Sequence, residues 1–220
     1  MDEFIREVDE EYRRDRILAI WRRYSGVIVG VAILVIAGIG GWRYWQHVER
    51  QQAEAAAVRY EDAIRLSREG KPDDSEKTLG ALATDAPGGY RLLARFRLAA
   101  ETGKQNAEAG AEAYDALAND AAVGGTMQDL ARLRAAMLRL DTAEPAVVGR
   151  DLERLAAPTN PWRHTARELL GLAGLKRGDY EAAGRWFEQI AADRDTPAGL
   201  RSRIEIYMAL VAGGPVQPTQ

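Results

Sequence analysis

The side chains best suited to catalysis or metal binding in this 220-residue chain are two histidines and a few neighbouring carboxylates. Neither His47 nor His164 has a second histidine at metal-ligand spacing, and the chain has no cysteine to supply a thiolate. Neighbours such as Glu61 and Asp62 point in different directions on a helix, so they do not predict an acid–base pair. We therefore expect no catalytic residue, no metal site and no cofactor.

Phosphate and nucleic-acid binding receive no support from the sequence either. The Gly-Gly pairs at 88–89 and 124–125 lack the Lys-Ser/Thr that completes a phosphate-binding loop. The 30 basic and 33 acidic residues give a net charge of -3, whereas nucleic-acid-binding proteins concentrate positive charge on one surface. We expect neither nucleic acid nor a small-molecule substrate as a partner.

A recurring Ala-Arg pair is the candidate for a partner-binding groove. Arg95, Arg132 and Arg167 each follow an alanine and are spaced 37 and 35 residues apart. Two of them are followed, two residues later, by Arg97 and Arg134. If the structure repeats with this spacing, the three arginines form a row able to bind acidic groups or peptide carbonyls. The alternative is that their aliphatic stems cover the edge of a core.

The elements that must position these arginines repeat along the chain. Four similar segments end in an apolar residue and an alanine, at spacings of 35, 38 and 35 residues: Leu82-Ala83, Leu117-Ala118, Leu155-Ala156 and Ile190-Ala191. A second helix-like stretch follows each segment, and no stretch alternates with the period of a strand. The pattern predicts an all-α fold of the α-solenoid type, in which stacked repeats bury one another's apolar faces.

The fourth repeat resembles a tetratricopeptide repeat. Leu170-Gly171 falls at its Leu-Gly pair, and Ala183 with Phe187 at the small and large positions of its second helix. The chain departs from that pattern at Arg167 and Gly174, where Trp and Tyr are usual.

Two capping boxes are also predicted at the starts of helices. Asp73 with Glu76, and Thr126 with Asp129, have the spacing at which a cap side chain and the residue three positions later satisfy free amides.

One segment is long and apolar enough to cross a bilayer. Residues 26–42 carry no charge over 17 positions, and the flanking residues extend the run to the roughly 20 residues that a span requires. A cleaved signal peptide is the alternative, but the 25 residues in front are too long and too acidic for it. We expect a single uncleaved transmembrane helix near the N-terminus.

Aromatic and arginine side chains mark both ends of this span. Such side chains favour the membrane interface, where the ring is half buried and the guanidinium reaches water. The predicted interface residues are Trp21, Tyr24, Trp42, Arg43, Tyr44 and Trp45. Within the span, small residues four and seven positions apart predict a face for packing against another membrane helix: Gly26, Gly30, Ala37 and Gly41.

Arginines on the two sides of the span predict its orientation. Five lie within about 15 residues before it and three within about 20 after it, which favours a cytoplasmic N-terminus. The predicted organisation is a cytoplasmic tail (1–23), the transmembrane helix (24–45), a connecting helix (46–69), the repeat domain (70–212) and a disordered tail (213–220).

Taken together, these parts resemble the YfgM-like family of bacterial inner-membrane proteins, which are ancillary subunits of the Sec translocon. The resemblance covers most of the chain. Its most specific motifs are GWRYW, residues 41–45, and EGKPD, residues 69–73.

The resemblance implies a non-enzymatic protein of the bacterial inner membrane with its repeat domain in the periplasm. It also implies association with the translocon and with a membrane-anchored periplasmic chaperone of the prolyl-isomerase type. Two alternatives stay open: a holdase that binds unfolded clients directly, and a scaffold for envelope assembly.

Overall fold

The computed structural model of the chain describes residues 2–142 and 145–214, and the side chains of residues 2–23, 28, 145–147 and 151 lie outside that description. Within these ranges all regular structure is α-helical, which confirms the predicted all-α class. The helices are α1 Asp2–Arg68, α2 Pro72–Asp85, α3 Gly88–Gln105, α4 Ala107–Ala118, α5 Gly125–Arg139, α6 Pro145–Leu155, α7 Arg163–Lys176, α8 Tyr180–Ala192 and α9 Ala198–Gly213.

Helix α1 contains both the predicted membrane span and the predicted connecting helix. The predicted limits at residues 23/24 and 45/46 fall inside this one helix, which ends before a turn at Gly70. The chain divides within α1 into two compact units, Met1–Ala55 and Ala56–Gln220.

In the first unit, the apolar run of α1 presents its side chains outward. Leu34 and Ile36 are 73% and 70% exposed, and the helix is long and apolar enough to cross a membrane. Exposed apolar surface of this extent is typical of a membrane-contacting helix rather than of a helix in contact with water.

The residues predicted for the membrane interface flank that run. Tyr24 precedes it, and Trp42, Arg43, Tyr44 and Trp45 follow it with exposed side chains. The side chain of Trp21 lies outside the described residues. Their placement at a membrane interface stays a prediction.

The small residues of the span share one face of α1. A Cβ atom added at Gly26, Gly30 or Gly41 would meet no described atom within 4 Å beyond the local helix backbone. Together with Ala37, they leave this face open to the close approach of a second helix, which is the geometry that such positions require. Helix packing through this face stays a prediction.

The second unit is the predicted helical array. The repeated segments form α2, α4, α6 and α8, the following stretches form α3, α5, α7 and α9, and each of these helices packs against the next one in the chain. The end of α1 serves as the first helix of the array, because Ala56 and Ala63 are buried against α2 and α3.

The core of the array is a series of apolar clusters. Neighbouring clusters share a helix: the first joins α1 to α3, the second α3 to α5, and the third α5 to α7. The fourth joins α8 and α9 around Phe187, with Leu175 of α7 against it. No repeat therefore buries its apolar face alone, as the solenoid interpretation predicts.

Two positions that resemble a tetratricopeptide repeat lie against each other in the fourth repeat. A Cβ atom on Gly171, the glycine of the Leu-Gly pair on α7, would overlap the fully buried ring of Phe187 on α8. Gly174 explains one departure from the tetratricopeptide pattern. A Cβ atom there would lie 3.0 Å from the backbone nitrogen of Ala183, which leaves no room for a tyrosine.

Both predicted capping boxes are wrong, because the helices begin earlier than expected. Helix α2 starts at Pro72 with Lys71 as its cap residue, since proline fixes a helical φ at the first position. Helix α5 starts at Gly125 after Gly124, so Thr126 lies within the first turn.

At the other end of the chain, α9 continues to Gly213, the first residue of the predicted tail, and residues 215–220 lie outside the described residues.

The contact between α3 and α4 generates a stability prediction. A Cβ atom on Gly110 would lie 2.6 Å from the backbone nitrogen of Gly103 and 3.0 Å from the carbonyl oxygen of Ala99. Because the backbone cannot move aside as a flexible side chain can, Gly110→Ala should destabilise the array by about 2 kcal/mol. We expect the melting temperature of the full chain in detergent to fall by about 5 °C.

Gly80 provides the matched control, because it is a helical glycine of α2 whose added Cβ atom would meet nothing within 4 Å. Gly80→Ala should raise stability by up to about 1 kcal/mol through helix propensity. Equal melting temperatures for the two variants would contradict the close packing of α3 on α4.

Candidate partner-binding groove

The arginines predicted for the groove are already engaged inside the array. Arg132 Nη2 donates to the carbonyl oxygen of Ala118 at 3.0 Å, and Arg167 Nε donates to that of Ala156 at 3.1 Å. Arg95 Nη1 donates to Asp120 at 2.7 Å. The exposed fraction of the side chain falls from 31% in Arg95 to 19% in Arg132 and 7% in Arg167.

The contacts of Arg132 and Arg167 with carbonyl oxygens belong to a recurring arrangement that the sequence did not reveal. Arg91 of α3 donates to the carbonyl oxygen of Ala86 after α2, and Arg201 of α9 donates to that of Ala191 in the last turn of α8. In each case an arginine satisfies a carbonyl at the C-terminal end of the preceding helix, where carbonyls lack helical partners and the helix dipole is negative. Ala118 and Ala156 are themselves the alanines of the repeated apolar-Ala pairs.

Arg167 also contributes to a buried charge cluster at the end of α8. Its Nη1 lies 3.4 Å from Asp193 Oδ2, which accepts a second bond from Arg163 Nε at 2.8 Å. The hydrogen bond from Arg163 is the main reason why the pKa of Asp193 lies well below its usual value. The carboxylate therefore stabilises the fold above the ordinary aspartate pKa, and this stability is lost as the pH falls through the lower folded-state pKa.

The three Ala-Arg arginines therefore do not meet in one row of free guanidinium groups. Their interaction with a partner stays a prediction. The structure has an accessible concave surface on α3 and α5, the helices that carry Arg95 and Arg132.

That surface, which we call the groove, lies between α1, α3 and α5 and has a volume of about 370 Å³. Most of its lining is apolar or aromatic: Tyr60, Leu92, Leu93, Phe96, Ala100, Tyr114, Met127 and Leu130. Leu93 and Met127 are 50% and 40% exposed, so the groove presents apolar side chains to water. Concave apolar surfaces of this kind bind partners in helical-repeat proteins.

Aromatic contacts fix the floor of the groove. The rings of Phe96 and Tyr114 lie 5.9 Å apart, and the Tyr114 hydroxyl donates to the carbonyl oxygen of Phe96 at 3.2 Å. Tyr60 of α1 packs edge-on against Tyr90 with a centroid separation of 6.3 Å. These contacts join α1 to α3 and α3 to α4 beneath the groove.

Arg97 and Arg134 are the charged residues of the lining. Arg97 lies 2.6 Å from Glu101, a carboxylate that is only 2% exposed and that also accepts from Lys104 at 2.7 Å and Ser67 at 2.9 Å. Burial alone would raise the pKa of Glu101, but these hydrogen bonds and the charge of Arg97 lower it. Glu101 is therefore ionised.

Arg134 differs from Arg97, because its guanidinium group makes no hydrogen bond or ion pair with any residue of the described ranges. Its charge reaches the groove nonetheless. Burial raises the pKa of the Tyr114 hydroxyl, while the charges of Arg134 and Arg97 oppose that rise.

The two histidines lie apart from the groove lining. His47 is exposed and contacts Gln51, whereas His164 lies 3.3 Å from the Thr196 hydroxyl. Burial, aided by the charge of Arg163, lowers the pKa of His164, which favours its neutral form. Among the side chains that the structure describes, no group of three His, Asp or Glu comes together as a metal site.

An apolar helix of membrane-spanning length and a helical array define a membrane-anchored α-helical repeat protein. The sequence matches the family model of the tetratricopeptide repeat-like domain over residues 19–208. The chain therefore belongs to the tetratricopeptide repeat-like domain family.

The chain is also similar to proteins named "Ancillary SecYEG translocon subunit". It is 26% identical to the protein from Escherichia coli (strain K12) over 193 residues, which cover 86% of this chain and 91% of that protein. The protein from Aggregatibacter actinomycetemcomitans is 24% identical over 187 residues, or 83% of this chain and 88% of that protein. No solved structure matches the chain. The relatives confirm the resemblance to the YfgM-like family.

The burial of the three arginines generates a second stability prediction. Arg167→Met should destabilise the array by about 2 kcal/mol, because it removes a buried charge-assisted hydrogen bond and leaves the Ala156 carbonyl without that donor. Arg95→Met should cost less than about 1 kcal/mol, because its ion pair is partly exposed. Thermal melts of the full chain should rank the variants in that order.

Arg154 of α6 is a suitable control, since it is exposed and makes no ion pair or hydrogen bond within the described residues. The Arg154→Met variant should have the same melting temperature as the unaltered chain. Equal decreases in melting temperature for Arg167→Met and Arg154→Met would show that the hydrogen bond from Arg167 to the Ala156 carbonyl contributes nothing to stability.

Proposed function

We propose that this protein is an inner-membrane-anchored scaffold that associates with the Sec translocon and binds a periplasmic chaperone close to the site where translocated chains emerge. The observation that carries the proposal is the similarity to ancillary SecYEG translocon subunits across 86% of this chain and 91% of the E. coli protein. The family model, which matches residues 19–208, includes the apolar helix as well as the repeat domain.

The proposal assigns a role to each part of the chain. Residues 1–23 lie in the cytoplasm, and residues 24–45 cross the membrane with Gly26, Gly30, Ala37 and Gly41 facing another helix. Residues after 46 lie in the periplasm, since five arginines precede the span and three follow it. The groove between α1, α3 and α5 holds the partner, which on the resemblance is a membrane-anchored chaperone of the prolyl-isomerase type.

The scaffold is non-catalytic. The relatives' names and the repeat fold support this assignment, because arrays of paired helices typically supply extended binding surfaces. A second candidate is a holdase that binds unfolded clients in the groove. The exposed apolar side chains of Leu93 and Met127 favour it, because unfolded chains expose apolar segments.

Orientation can be tested with single cysteines, because the chain has no cysteine of its own. We expect Gln189→Cys, on the exposed surface of α8, to react with a membrane-impermeant maleimide in spheroplasts with an intact inner membrane. Glu10→Cys should react only after the membrane is disrupted. The reverse pattern would contradict the proposed orientation.

Partners can be identified with a photo-crosslinking amino acid in the full chain in native membranes. At Val35 in the span we expect adducts with translocon subunits, and at Leu93 in the groove adducts with a periplasmic chaperone. Gln189 of α8, which does not line the groove, is the control position and should give neither. Failure to recover any translocon subunit from Val35 and Leu93 would reject the translocon assignment, and diverse secreted clients at Leu93 would favour the holdase.

A further inference from the structure

The charged residues that line the groove carry one sign only. Arg97 and Arg134 contribute positive charge, and no Asp or Glu is among the lining residues. The chain as a whole has a net charge of -3, so a positive groove is a local feature and not a consequence of composition.

Neighbouring residues do not cancel this positive charge. Glu101, the carboxylate that pairs with the lining residue Arg97 at 2.6 Å, is shared with Lys104 at 2.7 Å. Two cations therefore share one buried anion, which leaves an excess of one positive charge before Arg134 is counted. Arg134 adds a second, because it has no hydrogen-bond or ion-pair partner among the residues that the structure describes.

Each arginine follows an exposed apolar residue on the same face of its helix. Leu93 and Arg97 are four positions apart on α3, and Met127 and Arg134 are seven positions apart on α5. At 1.5 Å per residue these separations correspond to about 6 Å and about 10 Å along the helix axes. A ligand that covers the apolar residues thus brings groups about 6 Å and about 10 Å further along to the arginines.

We propose that the groove binds a protein segment whose apolar side chains cover Leu93 and Met127 and whose Asp or Glu carboxylate pairs with Arg134. The inference rests on the proposed scaffold function and names the chemistry of the partner segment. A guanidinium without a partner forms a charge-assisted, bidentate contact with a carboxylate without breaking an existing ion pair. The apolar lining supplies the affinity, and Arg134 supplies the selectivity.

The test uses the full chain in lipid nanodiscs and three fluorescent peptides of 14 residues, acetylated and amidated at their ends. The peptides share Leu at two positions one helical turn apart and differ only at the residue one turn further on, which is Glu, Gln or Lys. We expect the Glu peptide to bind about five times more tightly than the Gln peptide and the Lys peptide to bind more weakly than both.

Variants of Arg134 make the test specific. Arg134→Glu should reverse the order of the Glu and Lys peptides, and Arg134→Gln should reduce the difference between them, because the charge of Arg97 remains in the lining. Arg154→Glu makes the same change in net charge on α6, away from the groove, and should keep the order of the unaltered chain. Because Arg134 is exposed and makes no internal contact of these kinds, the variants should melt normally.

Each outcome is decisive. The same peptide order in Arg134→Glu as in the unaltered chain, equal binding of the three peptides, or no binding of any of them would overturn the inference. Failure of the inference is distinguishable from failure of the proposed function. Equal peptide binding with translocon adducts in crosslinking rejects only the carboxylate contact, whereas selective binding without translocon adducts rejects only the translocon assignment.

Discussion

Close contact between helices through residues no larger than alanine is the constraint on which the array depends. Successive helices place a small side chain with no exposed surface at the contact with a neighbour: Ala63, Ser75, Ala94, Ala111, Ala131, Ala166 and Ala183. The helices approach even more closely at Gly110 and Gly171, because the backbone of α3 and the ring of Phe187 occupy the space that a Cβ atom would need. Since no repeat buries its own apolar face, every repeat requires these contacts on both sides. The groove exists because the contacts set α1, α3 and α5 side by side.

Charge serves two separate purposes on this scaffold. One set of arginines donates hydrogen bonds to carbonyls at the ends of the preceding helices, as Arg132 and Arg167 do. These bonds link α5 to the end of α4 and α7 to the end of α6. A second set, Arg97 and Arg134, lines the groove and leaves it positive. Arg132 and Arg134 are only two residues apart in sequence but point to different surroundings, since two positions on a helix are separated by about 200°. A membrane anchor and a positive, apolar groove suit a protein that holds others beside a membrane.

Much of the fold was predictable from the sequence, because repeated helix pairs place similar residues at a regular spacing. The apolar-Ala spacing located α2, α4, α6 and α8, and the resemblance of the fourth repeat to a tetratricopeptide repeat singled out Gly171 and Phe187, which the structure places in contact. Helix starts were less predictable, since Pro72 takes the first position of α2 and displaces Asp73 from the cap. The contacts of Arg95 with Asp120, and of Arg132 and Arg167 with carbonyl oxygens, could not be predicted, because these partners lie outside the arginine's own helix at distances set by packing. The sequence identified Arg97 and Arg134 only as arginines two residues after Arg95 and Arg132 and did not predict that they line the groove.

Hydrogen exchange of the full chain tests most directly whether the groove is the surface that partners cover. It would be measured on the chain alone in nanodiscs and on the complex isolated from native membranes. The account predicts slower amide exchange in the complex over residues 92–100 of α3 and 127–134 of α5, with no change in α8. Unchanged exchange in α3 and α5, together with protection confined to other helices of the array, would contradict it.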